Sequence, residues 1–273
     1  MSTVEAIFLG VIQGLTEFLP VSSSGHLVLF SQLLKVQEPS LVFEVMVHVG
    51  TLVAVLVVFR SEVVLLISSF FKLVSKPKQA KQLVQTDPGC ALLWGLILAT
   101  LPVVFVALAF KDYIENLFMS SLFVGFMLLI TGTILYLSQR HETGGKDLAK
   151  QSSLDALLVG VGQAVAVFPG ISRSGTTIAV GLTRGLDRDS AARLSFLLSI
   201  PAILGALVFS LDDLFGGATT IGTGPLIAGL LASAVTGYLA IHLLLDLIKR
   251  GKLVWFSYYT WFIGTLVILL SIL

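Results

Sequence analysis

Cysteine is almost missing from this chain of 273 residues: Cys90 stands alone, so no intramolecular disulfide can form and the redox compartment is left open. Charge is scarce as well. Charged residues make up 12% of the chain, against roughly 25% in a soluble domain, which excludes any appreciable soluble domain. The net charge of +1 and the lack of a long basic run argue against a nucleic-acid partner. The N-terminus has neither a basic n-region nor an A-x-A-like cleavage site, and Glu5, Gln13 and Glu17 interrupt its apolar run. It is therefore read as retained structure rather than a signal peptide. What is there is hydrophobic: 56% of residues, with a mean hydropathy of +0.97. The chain reads as a protein of the lipid bilayer.

Crossing the hydrocarbon takes roughly 20 apolar residues. Six segments qualify, at 41–59, 91–110, 117–138, 190–209, 225–248 and 253–273. Pro102 predicts a kink in the second of them, and residues 62–74, flanked by Glu62 and Lys72, suit an interfacial helix. The Trp and Tyr residues at 255–261 read as an interfacial belt.

Two more arms, 4–34 and 154–184, are long enough to cross, yet each is cut near its middle by a Pro/Gly/Ser loop. They are copies of one another. EAIFLGVIQGLTEFLPVSSSGH at 5–26 and DALLVGVGQAVAVFPGISRSGT at 155–176 agree without a gap at Ala6/Ala156, Gly10/Gly160, Gln13/Gln163, Phe18/Phe168, Ser22/Ser172, Ser24/Ser174 and Gly25/Gly175. Lipid tolerates irregular backbone only where protein or a water-filled cavity shelters it, so two such loops predict one shared, buried polar site. Loop charge orients them. Basic loops around Lys72–Lys81, Arg140–Lys150 and Lys249–Lys252 belong in the cytoplasm, whereas 111–116 and the loop with Asp212 and Asp213 belong outside. Arm 4–34 must then enter and leave from outside, and arm 154–184 from the cytoplasm. The expected fold is an all-α integral membrane protein: an inverted-topology repeat with about six transmembrane helices and two re-entrant helical hairpins meeting near the midplane. It forms a single membrane domain over 1–273, with halves 1–140 and 150–273.

The two loops differ where chemistry is concerned. Glu17 faces Val167 in the alignment, Ser23 faces Arg173 and His26 faces Thr176. One arm carries acid, hydroxyl and imidazole; the other carries a fixed positive charge. A charge at bilayer depth costs at least about 2.5–3.5 kcal/mol on insertion scales, and mutual pairing of Glu17 with Arg173 is the plain explanation for both. It leaves His26 and the hydroxyls unexplained, although Ser and Thr also serve as small packing residues between membrane helices. An anion accounts for more. Each loop leads into a half-helix whose N-terminal N–H groups favour phosphate, Arg173 offers a forked cation, and Ser22, Ser24, Ser172, Ser174 and Thr177 supply hydroxyls. Glu17 with Gln13 at i, i+4 suits a divalent cation, which prefers oxygen ligands. Ser23 and His26 suit a nucleophile and its base; His26 as nucleophile, or as base toward water, is the alternative. His26 and Arg173 are expected to line one cavity. Glu44 and His48, again i, i+4, are placed beside the site or paired with each other, and His242 and Asp246 are read as a satisfied pair or an interface anchor. A secondary transporter or lipid flippase is the rival class, because broken helices in inverted repeats are typical of transporters.

At these residues the chain resembles the BacA-type undecaprenyl-pyrophosphate phosphatases of bacteria. QGLTEFLPVSSSGH at 13–26 matches that family's [E/Q]xxxE pattern and Ser/His loop, and PGISRSGTT at 169–177 matches its PGxSRSxxT. The resemblance implies a plasma-membrane (inner-membrane) enzyme that hydrolyses undecaprenyl pyrophosphate to undecaprenyl phosphate and inorganic phosphate, recycling the cell-wall lipid carrier and conferring bacitracin resistance. It implies Glu17, Ser23, His26 and Arg173 as catalytic residues, with Gln13, Ser172, Ser174 and Thr177 in support. It further implies dependence on a divalent cation (magnesium or calcium), an active site opening on the extracytoplasmic side, and a homodimer. Gln13 in place of a second carboxylate leaves Glu17 as the better metal ligand.

Overall fold

The computed structural model describes residues 1–36, 41–139, 145–210 and 221–272. Arg140, His141, Asp212 and Asp213, which bear on the loop assignments, lie outside the described residues, as do the side chains of Asp112 and Glu115. Thirteen α-helices, two short 3-10 helices and no β-strand occur among the described residues. Six are long and apolar enough to span a membrane: α3 (Leu41–Val58), α6 (Pro88–Ala109), α8 (Ser121–Ser138), α11 (Arg188–Phe209), α12 (Thr223–Lys249) and α13 (Val254–Ile272). They are the six segments expected, within a few residues at each end. Only 22% of the apolar windows of α6 and α13 is buried inside the protein, so most of their surface faces outward, where only lipid suits it. Pro102 lies within α6, which continues to Ala109.

The other helices are shorter. Each arm is a helix–loop–helix hairpin, α1 (Thr3–Phe18) with α2 (Ser23–Leu33), and α9 (Ser153–Val165) with α10 (Arg173–Thr183). Both hairpins begin with the same device: Ser2 with Glu5, and Ser152 with Asp155, form reciprocal capping boxes at equivalent positions. The apolar segment at 62–74 forms α4 (Arg60–Ser75), of which only Ser69 is buried; α5 (Ala80–Thr86) follows it. Residues 111–116, read from charge as an outer loop, instead fold into a short helix, α7 (Lys111–Phe118).

Each hairpin packs on a helix from the other half of the chain. Along α1, Gly10 meets Gly229 of α12 and Gly14 meets Ser233 and Thr236; along α9, Gly160 meets Ala99 of α6. Glycine allows the close approach, as small residues do between membrane helices generally. A Cβ on Gly14 would collide with Thr236 Oγ1 and lie 2.6 Å from the Ser233 carbonyl oxygen. Gly14→Ala is therefore expected to cost about 1–3 kcal/mol by overpacking, lowering the thermal midpoint in detergent. Gly205→Ala on α11, where nothing lies within 4 Å, should not.

The hairpins run in from opposite ends of the bundle. Met1 and Leu34, like Ile221 and Leu226 near the start of α12, pack against one buried cluster that includes Leu9, Leu27 and Phe43, while Asp155, at the start of α9, is bonded by Arg184 (2.8 Å) and Lys146 (3.2 Å). The same end as Asp155 holds a second network, with Arg193 of α11 on Glu62 of α4 (2.7 Å) and Lys249 of α12 on Asp189 (3.5 Å). The tips meet halfway. Ser174 Oγ donates to the Leu19 carbonyl at 3.4 Å, and Gly25 faces Gly170. Beneath them Phe18, Phe59 and Phe196 interlock, with ring centroids 5.6 and 5.7 Å apart, and fix the tip of α1 against α3 and α11.

Candidate active site

Between the two tips lies a cavity of about 320 Å³, bounded by Glu17, Ser23, Ser24, Ser172, Arg173 and His48 and by apolar residues of α7, the loop between α9 and α10, and α11. Glu17 is its centre. Ser23 Oγ donates to Glu17 Oε2 at 2.7 Å, Gln13 Nε2 donates to the same oxygen at 3.0 Å, and an Arg173 N–H donates to Oε1 at 2.7 Å. The other arm of the guanidinium donates to the Ser195 carbonyl at 2.7 Å. Arg173 is thus aimed from both sides, with further N–H groups left for a ligand. The two opposite charges cancel, but α2 and α10 both start at the cavity. Two helix N-termini facing one space leave it electropositive, which favours an anion.

The loops use different backbones for the same reversal. Ser22 holds φ +71, a region L-residues rarely occupy, where the second loop has Gly170 at φ +97 and an ordinary Ser172. Strain of this kind, of order 1–3 kcal/mol, directly precedes Ser23.

Several predicted ligand groups instead hold the loops. Ser22 and Ser172 cap their helices through the N–H groups of Gly25 and Gly175. Ser174 joins the tips, and Thr177 Oγ1 bonds the Arg173 carbonyl and Ser195 Oγ, both at 2.8 Å. Of the hydroxyls assigned to phosphate, only Ser24 and Ser172 line the cavity. Ser22, Ser174 and Thr177 are turned to backbone and neighbouring hydroxyl partners, because a buried loop must satisfy its polar groups.

His26 is the main correction. It lines not this cavity but a separate groove with Phe30, Tyr259 and Leu266. Its Nδ1 donates to the Ser22 carbonyl and its Nε2 accepts from Tyr259 O–H, each at 2.8 Å, and the Tyr259 ring stacks on it at 5.6 Å. Both ring nitrogens are therefore engaged, and the expected cavity shared by His26 and Arg173 does not form. His48 of α3 takes the place beside the carboxylate, its Nε2 3.7 Å from Glu17 Oε2. The expected side-chain pairs also change. His48 and His242 each bond the backbone carbonyl four residues earlier, Glu44 and Tyr238, while Asp246 pairs with Arg250.

A family model described as bacitracin resistance protein BacA matches residues 6–266. The chain belongs to the BacA family. An undecaprenyl-diphosphatase of Methanobrevibacter smithii is 46% identical over 275 residues, covering 100% of this chain and 99% of the relative. One from Carboxydothermus hydrogenoformans is 43% identical over 279 residues (99% and 98%). One from Halothermothrix orenii is 44% identical over 272 residues (99% of each).

In this BacA chain the donor set expected for a divalent cation is not assembled. Both Glu17 oxygens already receive hydrogen bonds, and Gln13 turns its NH₂ rather than its carbonyl toward them, leaving Oε1 buried without a partner. A hard cation needs several converging oxygens; Gln13 and Glu17 converge as donor and acceptor instead. No group of three or more His, Cys, Asp or Glu side chains that could hold a metal occurs among the described residues. The fold also recruits residues that carry no signal in the sequence. Ser195 anchors Arg173, and Thr131 of α8 fixes the second loop by donating to the Gly170 carbonyl (2.9 Å) and accepting from the Ser172 N–H (3.0 Å). Each is an ordinary hydroxyl residue within an apolar helix.

Proposed function

We propose that this membrane protein hydrolyses undecaprenyl pyrophosphate to undecaprenyl phosphate and inorganic phosphate, the activity named for its relatives, and that the cavity between the hairpin tips is its active site. The observation that carries this reading is the convergence of Ser23, Glu17 and Arg173, from two distant stretches of chain, on one electropositive cavity. The polyprenyl tail stays in lipid while the pyrophosphate head reaches the cavity. A second cavity, of about 280 Å³, adjoins the first and shares His48, Ile203 and Ala206 with it; it is walled by Leu41, Ala107 and Phe209 at the ends of α3, α6 and α11. Those ends lie outside by the loop-charge assignment, which supports an inner-membrane protein whose site opens on the extracytoplasmic side. It also supports halves 1–140 and 150–273 as an inverted repeat with re-entrant hairpins.

The chemistry follows from the contacts. Ser23 Oγ is the nucleophile, and Glu17, already accepting its hydrogen bond, takes its proton. Arg173 and the two helix N-termini face the phosphoryl oxygens, where charge builds up in phosphoryl transfer. A divalent cation would neutralise charge on the pyrophosphate, but Gln13 and Glu17, meeting as donor and acceptor, do not form its ligand set. His26 is a positioning residue: it holds the Ser22 carbonyl, and with it the strained turn before Ser23.

Purified protein in detergent is the test. Phosphate release from undecaprenyl pyrophosphate, with no membrane to separate two compartments, is expected of the hydrolase. A transporter or flippase would release none.

A further inference from the structure

Hydrolysis through Ser23 has two halves, and their protons do not balance on Glu17 alone. In the first, the Ser23 Oγ–P bond forms, the bridging P–O bond breaks, undecaprenyl phosphate leaves, and the Ser23 proton passes to Glu17. In the second, a water oxygen bonds to phosphorus, the Oγ–P bond breaks, and Oγ recovers its proton from Glu17. The proton shed by that water needs an acceptor of its own.

Among the described residues one histidine is placed to be that acceptor. His26 has both nitrogens engaged outside the cavity, and His242 is an exposed residue bonded to the Tyr238 carbonyl. His48 lines the cavity itself. Its Nδ1 lies 2.7 Å from the Glu44 carbonyl oxygen. A carbonyl can only accept, so the proton sits on Nδ1 and Nε2 presents a lone pair to the cavity. Once Glu17 has returned its proton to Ser23, its carboxylate stands 3.7 Å from Nε2. The ring is 29% exposed and also lines the adjoining cavity, with Glu44 and Lys111. That chamber can admit the water and carry its proton away.

We infer that His48 is a catalytic residue of the dephosphorylation half-reaction, its Nε2 taking the proton of the water that cleaves phosphoserine at Ser23. The inference rests on the Ser23 reading given above. The experiment is rapid-quench kinetics on the purified full-length protein and its His48→Gln and His48→Gly variants, with undecaprenyl pyrophosphate radiolabelled in the terminal phosphate. Label should reach Ser23 in the variants at the unmodified protein's rate and then persist, with steady-state phosphate release slower by about 10²–10⁴-fold, the usual worth of a positioned base. Added imidazole should restore release in His48→Gly without changing the labelling rate; the same addition to His26→Ala should restore nothing. Unchanged release in His48→Gln would overturn the inference, as would equal slowing of labelling and release, which marks a structural prop. If no variant ever carries label on Ser23, the serine reading falls instead. Release then decides His48 separately: a loss rescued by imidazole keeps it as base for direct attack by water, and no loss removes it.

Discussion

Arg173→Ala should abolish phosphate release, by about 10³-fold or more, the scale set by arginines that stabilise a transferring phosphoryl group. Two costs combine. The cavity loses its forked cation, and Glu17, 8% exposed, loses the partner that neutralises it. A buried charge left unpaired costs about 3–5 kcal/mol, so the alanine variant needs a folding control by size exclusion in detergent. Arg173→Lys separates the effects. Lysine keeps the charge beside Glu17 but cannot span Glu17 Oε1 and the Ser195 carbonyl together. It should fold normally and still lose much of the rate. Full phosphate release by a folded Arg173→Ala protein would refute the site.

Ser23→Ala carries the second large effect. The structural loss is one hydrogen bond to the Glu17 carboxylate, worth about 1.5–3 kcal/mol, while the Arg173 and Gln13 contacts to it remain, so the variant should fold and bind substrate. Its turnover should fall by at least about 10³-fold, because removal of a covalent nucleophile leaves only the rest of the site to act. No label from the terminal phosphate should appear on the protein. A loss under about tenfold would show that water attacks phosphorus directly and that Ser23 only orients Glu17.

How much of this was legible beforehand depended on distance along the chain. The six spans and the two broken arms could be read because each needs only a local run of apolar residues and a local interruption. The capping boxes at Ser2 and Ser152 are local too. The helix at Lys111–Phe118 leaves no such mark, because its polar and charged residues read as loop where no long apolar run marks a span. The pairing of Glu17 with Arg173 is legible only because the repeat supplies a long-range clue: duplicated loops in lipid must shelter each other. No such clue existed for His26 and His48. Ser23 and His26 are three residues apart, which puts them near one face of an ideal helix, but α2 lies between two spaces. Ser23 opens the helix on the cavity side, while His26 is drawn to the Ser22 carbonyl and to Tyr259, 233 positions away.

Composition, hydropathy and the internal copy determined by themselves that this protein lives in a bilayer, how many times it can cross, and that acid, hydroxyl and guanidinium belong to one polar site. Each of these is set by lipid, which penalises every exposed backbone or charged group wherever it occurs in the chain. Only the tertiary structure decided which hydroxyls face the cavity, that Gln13 and Glu17 meet as donor and acceptor rather than as a metal cage, and that His48 rather than His26 stands beside the carboxylate. Those outcomes turn on side-chain directions of a few ångströms, fixed by partners on other helices that no spacing within a motif can name.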